Sequence, residues 1–190
     1  MTEKRLLENL KKGDRSAFGA IFHKYESDIF FFSLDMMKNE SEAEEILQET
    51  FVKLWMNRKL IDVDRNIRNY LISIAKNLIY NILKRKVVER KYLLNKTPSL
   101  AQPSKIENDL YLEDLRNLLL TSFNRLTPHQ KEILTLKSEG LNNDEISEIL
   151  GLSKRTIEDH ISRSYKRLRS ELPYPDDFFY LIMPLIYCLL

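Results

Sequence analysis

The sequence contains few of the residues on which several fold classes depend. Cys188 is its single cysteine, which excludes a disulfide framework and any cysteine-based zinc or iron–sulfur site. Four glycines and six prolines in 190 residues are too few for the frequent turns of an all-β protein. The composition, 43% hydrophobic and 31% charged, is that of a folded, water-facing chain. We expect an all-α protein in the reducing cytoplasm.

Residue patterns typical of catalytic and metal sites are also missing. His23, His129 and His160 are far apart in the sequence and form no HExxH arrangement, so no zinc site is expected. The chain has no P-loop, no GxSxG motif and no dinucleotide-binding glycine pattern. We therefore expect a protein that is not an enzyme and that uses no metal, cofactor or small-molecule substrate.

Neither end of the chain is expected to act as an export signal or as a membrane span. Residues 1–14 are charged and amphipathic and lack the apolar stretch of a secretory signal. Residues 178–190 are apolar but are shorter than the roughly 20 residues that a membrane-spanning helix needs. We expect this tail to pack on the protein itself as a short helix that is broken at Pro184.

Charge is nearly balanced over the whole chain, with 30 Lys and Arg against 28 Asp and Glu, but it is unevenly distributed. Residues 1–50 hold seven basic and eleven acidic side chains, whereas residues 51–92 hold eleven basic and three acidic ones. Aromatic and amide side chains are interleaved with the cations of the basic block. They can stack on unpaired bases, or hydrogen-bond to them, between phosphate contacts. The pattern favours a local site for single-stranded nucleic acid.

Apolar residues at helical spacing predict helices in the first part of the chain. Asp14 precedes a helix, and the apolar stretch 29–37 is expected to lie in a core. Ser41 is expected to cap the next helix, with Glu44 completing a capping box. The polar face of that helix carries Glu45, Gln48 and Glu49.

A loop is predicted at residues 56–66, followed by a long helix from Ile67 to about Arg90. Its apolar residues face inward, and the polar residues expected outside are Arg68, Lys76, Asn77, Asn81, Lys84 and Arg85. Residues 95–105 contain two prolines and no helical pattern, which is typical of a linker. In chain order, we expect a first domain at 1–92, a linker at 93–107, a second helical domain at 108–172 and a hydrophobic tail at 173–190.

The second domain has the spacing of a helix-turn-helix. Asn143 is expected to cap a short helix whose Ile146 and Ile149 face inward. Gly151 follows at the turn, which needs a residue that tolerates positive φ, and Ser153 caps the second helix. The outward residues of that helix are Lys154, Arg155, Thr156, Asp159, Ser162, Arg163, Lys166, Arg167 and Arg169. This basic helix suits a DNA major groove, although an ordinary amphipathic hairpin has the same spacing.

Two segments of the chain resemble one family. The run LTPHQKEILTLKSEGLNNDEISEILGLSKRTIEDHISRSYKRLR is similar to region four of bacterial RNA polymerase sigma factors. SEAEEILQETFVKLW and NIRNYLISIAKNLIYNILKRK resemble region two. Two such segments in this order resemble a sigma factor of the extracytoplasmic-function type, in the sigma-70 family. The resemblance implies core RNA polymerase and promoter DNA as partners, together with an anti-sigma factor.

The resemblance also implies roles for individual residues. Contact with the polymerase clamp corresponds to Glu45, Gln48 and Glu49. In the family, one set of positions opens the minus-ten element and captures a flipped base. The matching residues here are Arg65, Asn66, Arg68, Asn69, Lys76, Asn77, Asn81, Lys84 and Arg85. Reading of the minus-thirty-five element corresponds to Lys154, Arg155, Thr156, Asp159, Ser162, Arg163, Lys166 and Arg167. Asp159 either accepts a hydrogen bond from a cytosine amine or orients Arg155 or Arg163, and we favour the second role.

Two other functions fit parts of this pattern. A helix-turn-helix regulator of the LuxR type, which binds duplex operators without polymerase, has a similar second motif. A receiver domain of a response regulator would alternate strands and helices, and residues 1–92 have no such alternation. A sigma-like adaptor that makes only protein contacts is a third, weaker alternative. The acidic-then-basic first domain favours the sigma factor.

Overall fold

The computed structural model describes residues 2–94, 105–172 and 174–190. In this part of the chain every regular element is a helix, so the all-α prediction is confirmed. The chain divides into two compact units, Met1–Ile79 and Tyr80–Leu190. The boundary lies within a long helix, whereas the sequence predicted a first domain that extends to residue 92. The expected limits of the domains remain a prediction.

The first unit is built on a pair of long helices. The helices in chain order are α1 (Glu3–Lys11), α2 (Arg15–Met37), α3 (Glu40–Met56), a short 3-10 helix (Arg58–Leu60) and the first part of α4 (Ile67–Leu94). Helices α2 and α3 pack against each other, and α1 packs on α2 and on the 3-10 helix. The predicted loop at 56–66 therefore begins with the last residue of α3, contains one turn of 3-10 helix and is otherwise irregular.

The start of α3 differs from the prediction. Asn39, not Ser41, is the N-cap, because its backbone is extended and its Oδ1 accepts a hydrogen bond from the backbone N–H of Glu42 at 3.0 Å. Ser41 lies inside the first turn. Both residues can cap a helix, and the left-handed backbone of Lys38 (φ 52°), which ends α2, sets where the next helix begins.

The apolar stretch 29–37 is only partly in the core. Ile29, Phe32 and Met36 are buried, but the side chain of Phe31 is 64% exposed. A helix that packs on one side leaves an outward face even where every residue is apolar. The prediction that this whole stretch is buried is therefore wrong for its outer face.

The second unit contains the C-terminal part of α4 and five further helices. These are α5 (Lys105–Asn124), α6 (Pro128–Ser138), α7 (Asn143–Leu150), α8 (Lys154–Glu171) and α9 (Asp176–Leu189). Helices α6, α7 and α8 pack around the buried residues Ile133, Ile146 and Ile157. Most of the predicted linker, residues 95–104, lies outside the described residues.

The helix-turn-helix is formed by α7 and α8. The N-cap of α7 is Asn142 rather than Asn143, with Glu145 completing a capping box. Ile149 was predicted to face inward but is 58% exposed, whereas Ile146 is buried and Leu150 packs against the same core. Gly151 has φ +63°, and Ser153 accepts a hydrogen bond from the N–H of Thr156, so the predicted turn and cap are confirmed.

The tail forms α9, a helix that continues through Pro184. The prediction that it breaks at Pro184 is wrong, although a proline in a helix interior removes one backbone hydrogen bond. Burial of Phe179, Ile182 and Ile186 against the second unit keeps the helix intact across that position. In the described part of the chain, no helix is both long and apolar enough to cross a membrane.

Candidate nucleic-acid and protein interfaces

A cavity of about 480 Å³ lies at the junction between the 56–66 loop and the first turns of α4. We call it the loop pocket. It is lined by Leu60, Ile61, Asp62, Arg65, Asn66, Ile67, Asn69, Tyr70 and Ser73. Three of the residues predicted to contact the minus-ten strand, Arg65, Asn66 and Asn69, are therefore brought together in its wall.

The chemistry of the loop pocket suits an unpaired base. Tyr70 supplies an aromatic ring, and the side-chain amides of Asn66 and Asn69 supply hydrogen-bonding groups. Asn66 Oδ1 accepts from the backbone N–H of Asn69 at 3.3 Å, which leaves the amide donors of Asn66 for a ligand. Arg65 is 84% exposed at the mouth, beside Asp62 at 3.3 Å, and can meet a phosphate.

A polar stripe continues from the loop pocket along α4. Its exposed members in the first unit recur every four residues and wind slowly around the helix: Asn69, Ser73 and Asn77. Asn81 and Arg85, at the same spacing on the part of α4 that belongs to the second unit, are also exposed. Lys76 and Lys84 flank the stripe and are half-buried, and Lys84 Nζ lies 3.3 Å from Asp109. The stripe can offer amides to bases and cations to phosphates over several helical turns.

Arg68 does not join this stripe. Its side chain is only 19% exposed, and its Nε donates to Asp28 Oδ2 on α2 at 2.8 Å. The expectation that Arg68 points outward is therefore wrong in the folded unit. The reason is a partner 40 residues away in sequence, which spacing along α4 cannot reveal.

The predicted reading face of α8 is exposed. Its outward residues are Lys154, Arg155, Asp159, Ser162, Arg163, Lys166 and Arg167, whereas Thr156 is half-buried and shares a hydrogen bond with Ser153 at 2.8 Å. In the part of the chain that the structure describes, no ion pair joins Asp159 to Arg155 or to Arg163. The favoured role of Asp159 in orienting those arginines therefore has no support in the structure.

One ion pair links the two helices of the motif at the reading face. Lys154 Nζ, on the first residue of α8, lies 2.9 Å from Asp144 Oδ2 in the first turn of α7. The hydrogen bond to Asp144 and the charge of that carboxylate raise the pKa of Lys154 above its ordinary value of 10.5. A phosphate that binds Lys154 therefore competes with the Asp144 carboxylate for the same ammonium group.

The face of α3 predicted to contact polymerase is exposed at Glu45, Gln48 and Glu49. Glu49 lies 3.6 Å from Lys53, one turn further along the helix. We call these three residues the acidic face. The carboxylates suit a basic partner surface, since opposite charges attract across an interface.

An apolar groove of about 620 Å³ lies beside the acidic face and shares Gln48 with it. It runs between α2 and α3 and is lined by Arg15, Phe18, Phe22, Gln48, Phe51, Val52 and Trp55. The rings of Phe18 and Trp55 meet edge to face, 5.3 Å apart. The sequence analysis did not predict this groove. The apolar Val52, one turn after Gln48 on the polar side of α3, was the available signal.

Comparisons with known proteins identify the family. The sequence matches the family model described as Sigma-70 region 2 over residues 21–87, and the one described as Sigma-70, region 4 over residues 116–168. Together the two matches cover more than half of the chain.

Full-length relatives show the same similarity. The ECF RNA polymerase sigma factor SigW of Bacillus subtilis (strain 168) is 29% identical over 184 residues, covering 90% of this chain and 97% of that protein. The RNA polymerase sigma factor CarQ of Myxococcus xanthus is 27% identical over 170 residues, covering 87% and 95%. A solved structure of CnrH in complex with the cytosolic domain of CnrY is 19% identical, with 88% coverage of this chain, 95% coverage of that chain and a TM-score of 0.44.

Proposed function

The chain belongs to the sigma-70 family, as an RNA polymerase sigma factor of the extracytoplasmic-function type, and we propose which of its surfaces carries out each step of promoter recognition and opening. The chain acts by binding and not by a catalytic step of its own, in the cytoplasm where core RNA polymerase resides. The observation that best supports this proposal is the loop pocket. In its wall an aromatic ring, two side-chain amides and an arginine lie together, at one end of the polar stripe.

Promoter opening takes place at the loop pocket and along the polar stripe of α4. The pocket takes one extruded base of the non-template strand, with Tyr70 as a stacking surface and Asn66 and Asn69 as hydrogen-bonding groups. Asn77, Asn81 and Arg85 hold the strand beyond it. Unpairing and unstacking cost a few kcal/mol per base, and capture of the base offsets that cost. The protein therefore opens DNA by binding the open form more tightly, without hydrolysis.

Duplex recognition takes place at α8. Its first turns enter the major groove at the minus-thirty-five element, where Arg155 and Asp159 reach base edges. Lys154, Arg163, Lys166 and Arg167 contact phosphates and set the register. Asp159 has no arginine partner among the described residues; it accepts a hydrogen bond from a cytosine amine and selects against bases that cannot donate.

Core RNA polymerase binds at the acidic face of α3. Glu45, Gln48 and Glu49 are exposed at helical spacing and match a basic surface of the polymerase clamp. The family resemblance implies an anti-sigma factor as well. Because the apolar groove shares Gln48 with the acidic face, a protein seated in the groove excludes polymerase from that face. Competition for Gln48 is then the simplest route to inhibition.

Permanganate footprinting of the reconstituted holoenzyme tests the assignment of the loop pocket. Promoters would first be found by run-off transcription on fragments of the source genome. Asn69→Ala should abolish permanganate reactivity of minus-ten thymines while protection of the minus-thirty-five element persists. Asn117→Ala, the same change at an exposed position of α5, is the matched control and should open promoters normally. If the Asn69→Ala holoenzyme opens promoters as wild type does, the loop pocket does not take part in promoter opening.

A further inference from the structure

We propose that α1 is a brace for the loop pocket, and that Lys11 and Lys4 are positioning residues that hold the pocket in the shape that captures a base. The inference rests on the proposed function of the pocket. It concerns residues that precede the family match, which begins at residue 21.

Lys11 fixes one wall of the pocket directly. Its Nζ donates to the backbone carbonyl oxygen of Ile61 at 2.8 Å. Ile61 lines the pocket and is 4% exposed, and Lys11 is itself half-buried. A hydrogen bond from a charged donor is stronger than one between neutral groups, and partial burial protects it from competition by water. Lys11 therefore anchors the loop at the residue where it turns into the pocket.

Lys4 contacts the same loop at Asp64, three residues after Ile61. Its Nζ lies 2.6 Å from Asp64 Oδ1. The backbone N–H of Asp64 donates to Asp62 Oδ1, and Asp62 in turn lies 3.3 Å from Arg65. Asp62 and Arg65 both line the pocket, so the contact from Lys4 continues to its mouth. Both partners of the Lys4 pair are exposed, so this contact alone is weaker than that of Lys11.

The brace is firm because α1 is itself anchored. Leu7 and Leu10 are fully buried. Glu3 accepts hydrogen bonds from Lys24 Nζ at 2.5 Å and from Tyr25 Oη at 2.6 Å, both on α2. Lys4 and Lys11 are seven residues apart, which places them on one side of the helix. Helix α1 thus connects the rigid α2 to an irregular loop that forms few backbone hydrogen bonds of its own.

The variants separate positioning from general stability. Lys11→Met keeps the length of the side chain and removes the donor, and Lys11→Arg restores a charged donor. Lys12→Met is the matched control, since Lys12 is the next residue, carries the same charge and is exposed. Lys4→Gln tests the outer contact at an exposed position where folding is not at risk. Melting temperatures of all four variants are recorded first.

The measurement is holoenzyme affinity for a forked promoter fragment with a single-stranded minus-ten element, either intact or with an abasic nucleotide at each position in turn. The wild-type holoenzyme should bind more weakly when the abasic nucleotide replaces the captured base than when the strand is intact. Lys11→Met should bind the intact strand about fivefold more weakly, the value of one hydrogen bond, yet bind the abasic strand as wild type does. Lys11→Arg should restore binding, Lys12→Met should behave as wild type, and Lys4→Gln should show a smaller effect of the same kind.

Two results overturn the inference in different ways. If Lys11→Met lowers the affinity for intact and abasic strands equally, Lys11 has a general structural role. If Lys12→Met lowers the affinity as much as Lys11→Met does, the effect is long-range electrostatics. Either result shows that Lys11 does not position the loop pocket. If wild type loses no affinity at any abasic position, the pocket captures no base, and the proposed function fails together with the inference.

Discussion

The guanidinium of Arg68 lies 2.8 Å from a carboxylate oxygen of Asp28 and ties the first turn of α4 to α2. The loop pocket lies at this end of α4, so the ion pair fixes the helix from which the pocket and the polar stripe both begin. A cation that the sequence assigned to DNA contact thus holds the site in place. The pair complements the contacts of Lys4 and Lys11, which hold the loop from the other side.

A double-mutant cycle should measure this coupling. Asp28→Asn and Arg68→Gln should each destabilise the protein, and the double variant should be less destabilised than their sum by about 1 kcal/mol, because Arg68 is mostly shielded from water. Urea unfolding followed by circular dichroism provides the free energies. Asn77→Ala, an exposed change on the same helix, should leave stability unchanged within about 0.5 kcal/mol. Additive effects of the two charge variants would show that the pair contributes nothing.

Substitution of two glycines by alanine should have opposite effects. At Gly151 the backbone has φ +63°, so a Cβ is strained although no atom lies within 4 Å of it, and stability should fall by about 1 kcal/mol. Gly19 lies inside α2, also in open space but at a helical φ, so alanine there should raise stability by about 1 kcal/mol. Calorimetry compares the melting temperatures. A gain in stability for Gly151→Ala would show that the turn does not need a left-handed residue.

The continuous tail helix predicts a gain in stability for Pro184→Ala. The alanine N–H can bond to the carbonyl of residue 180 within the same helix, and the clash of the proline ring is removed, so stability should rise by about 1–3 kcal/mol. Ile182→Ala should instead cost about 2–5 kcal/mol, because that side chain is fully buried. Thermal unfolding of both variants checks this. A loss of stability for Pro184→Ala would restore the view that the tail bends at the proline.

Acid should weaken the attachment of α1 to α2. The hydrogen bonds from Lys24 and then Tyr25 hold the pKa of the Glu3 carboxyl below its ordinary value of 4.5. The stabilisation is fully present above that value and is lost as the pH falls through the lower pKa of the folded state. The melting temperature of Glu3→Gln should therefore lie below that of wild type at pH 7, and the difference should shrink as the pH falls below 4.5. A constant difference between them over this range would show that Glu3 is not the titrating group.

Substitutions on α8 should separate base reading from phosphate contact. Arg155→Ala should reduce affinity for the minus-thirty-five duplex about tenfold or more and relax its sequence preference. Lys166→Ala should weaken binding to all sequences alike and reduce the slope of the salt dependence by about one. Arg116→Ala, the same loss of charge on α5, is the control. Fluorescence anisotropy at several salt concentrations measures all three. A uniform effect of Arg155→Ala across sequences would reassign Arg155 to the phosphates.

Features determined by neighbouring residues could be predicted from the sequence. Ser153 caps α8 and Gly151 supplies the turn, both as expected from local backbone chemistry. Predictions were off by one or two residues where adjacent polar residues compete for the same cap, as at Asn39 and Ser41. Local propensity cannot decide between them, since the end of the preceding helix sets the start of the next.

Features determined by distant contacts could not be predicted. Arg68 turns toward Asp28, 40 residues earlier, and Lys11 reaches Ile61, 50 residues later. The loop pocket exists because the 56–66 loop closes against the start of α4, and the apolar groove exists because α2 and α3 leave a gap between their aromatic residues. Spacing within one helix indicates which face is outward, but not which face meets a partner from elsewhere in the chain.

Co-elution with sigma-free core RNA polymerase, followed by run-off transcription on fragments of the source genome, tests the account most directly. The wild-type protein should bind core and yield discrete transcripts. The Asn77→Ala, Asn81→Ala double variant should bind core equally well and lose those transcripts, because the strand-holding stripe is removed while the acidic face is intact. Failure of the wild type to associate with core, together with salt-sensitive binding to duplex DNA alone, would contradict the account.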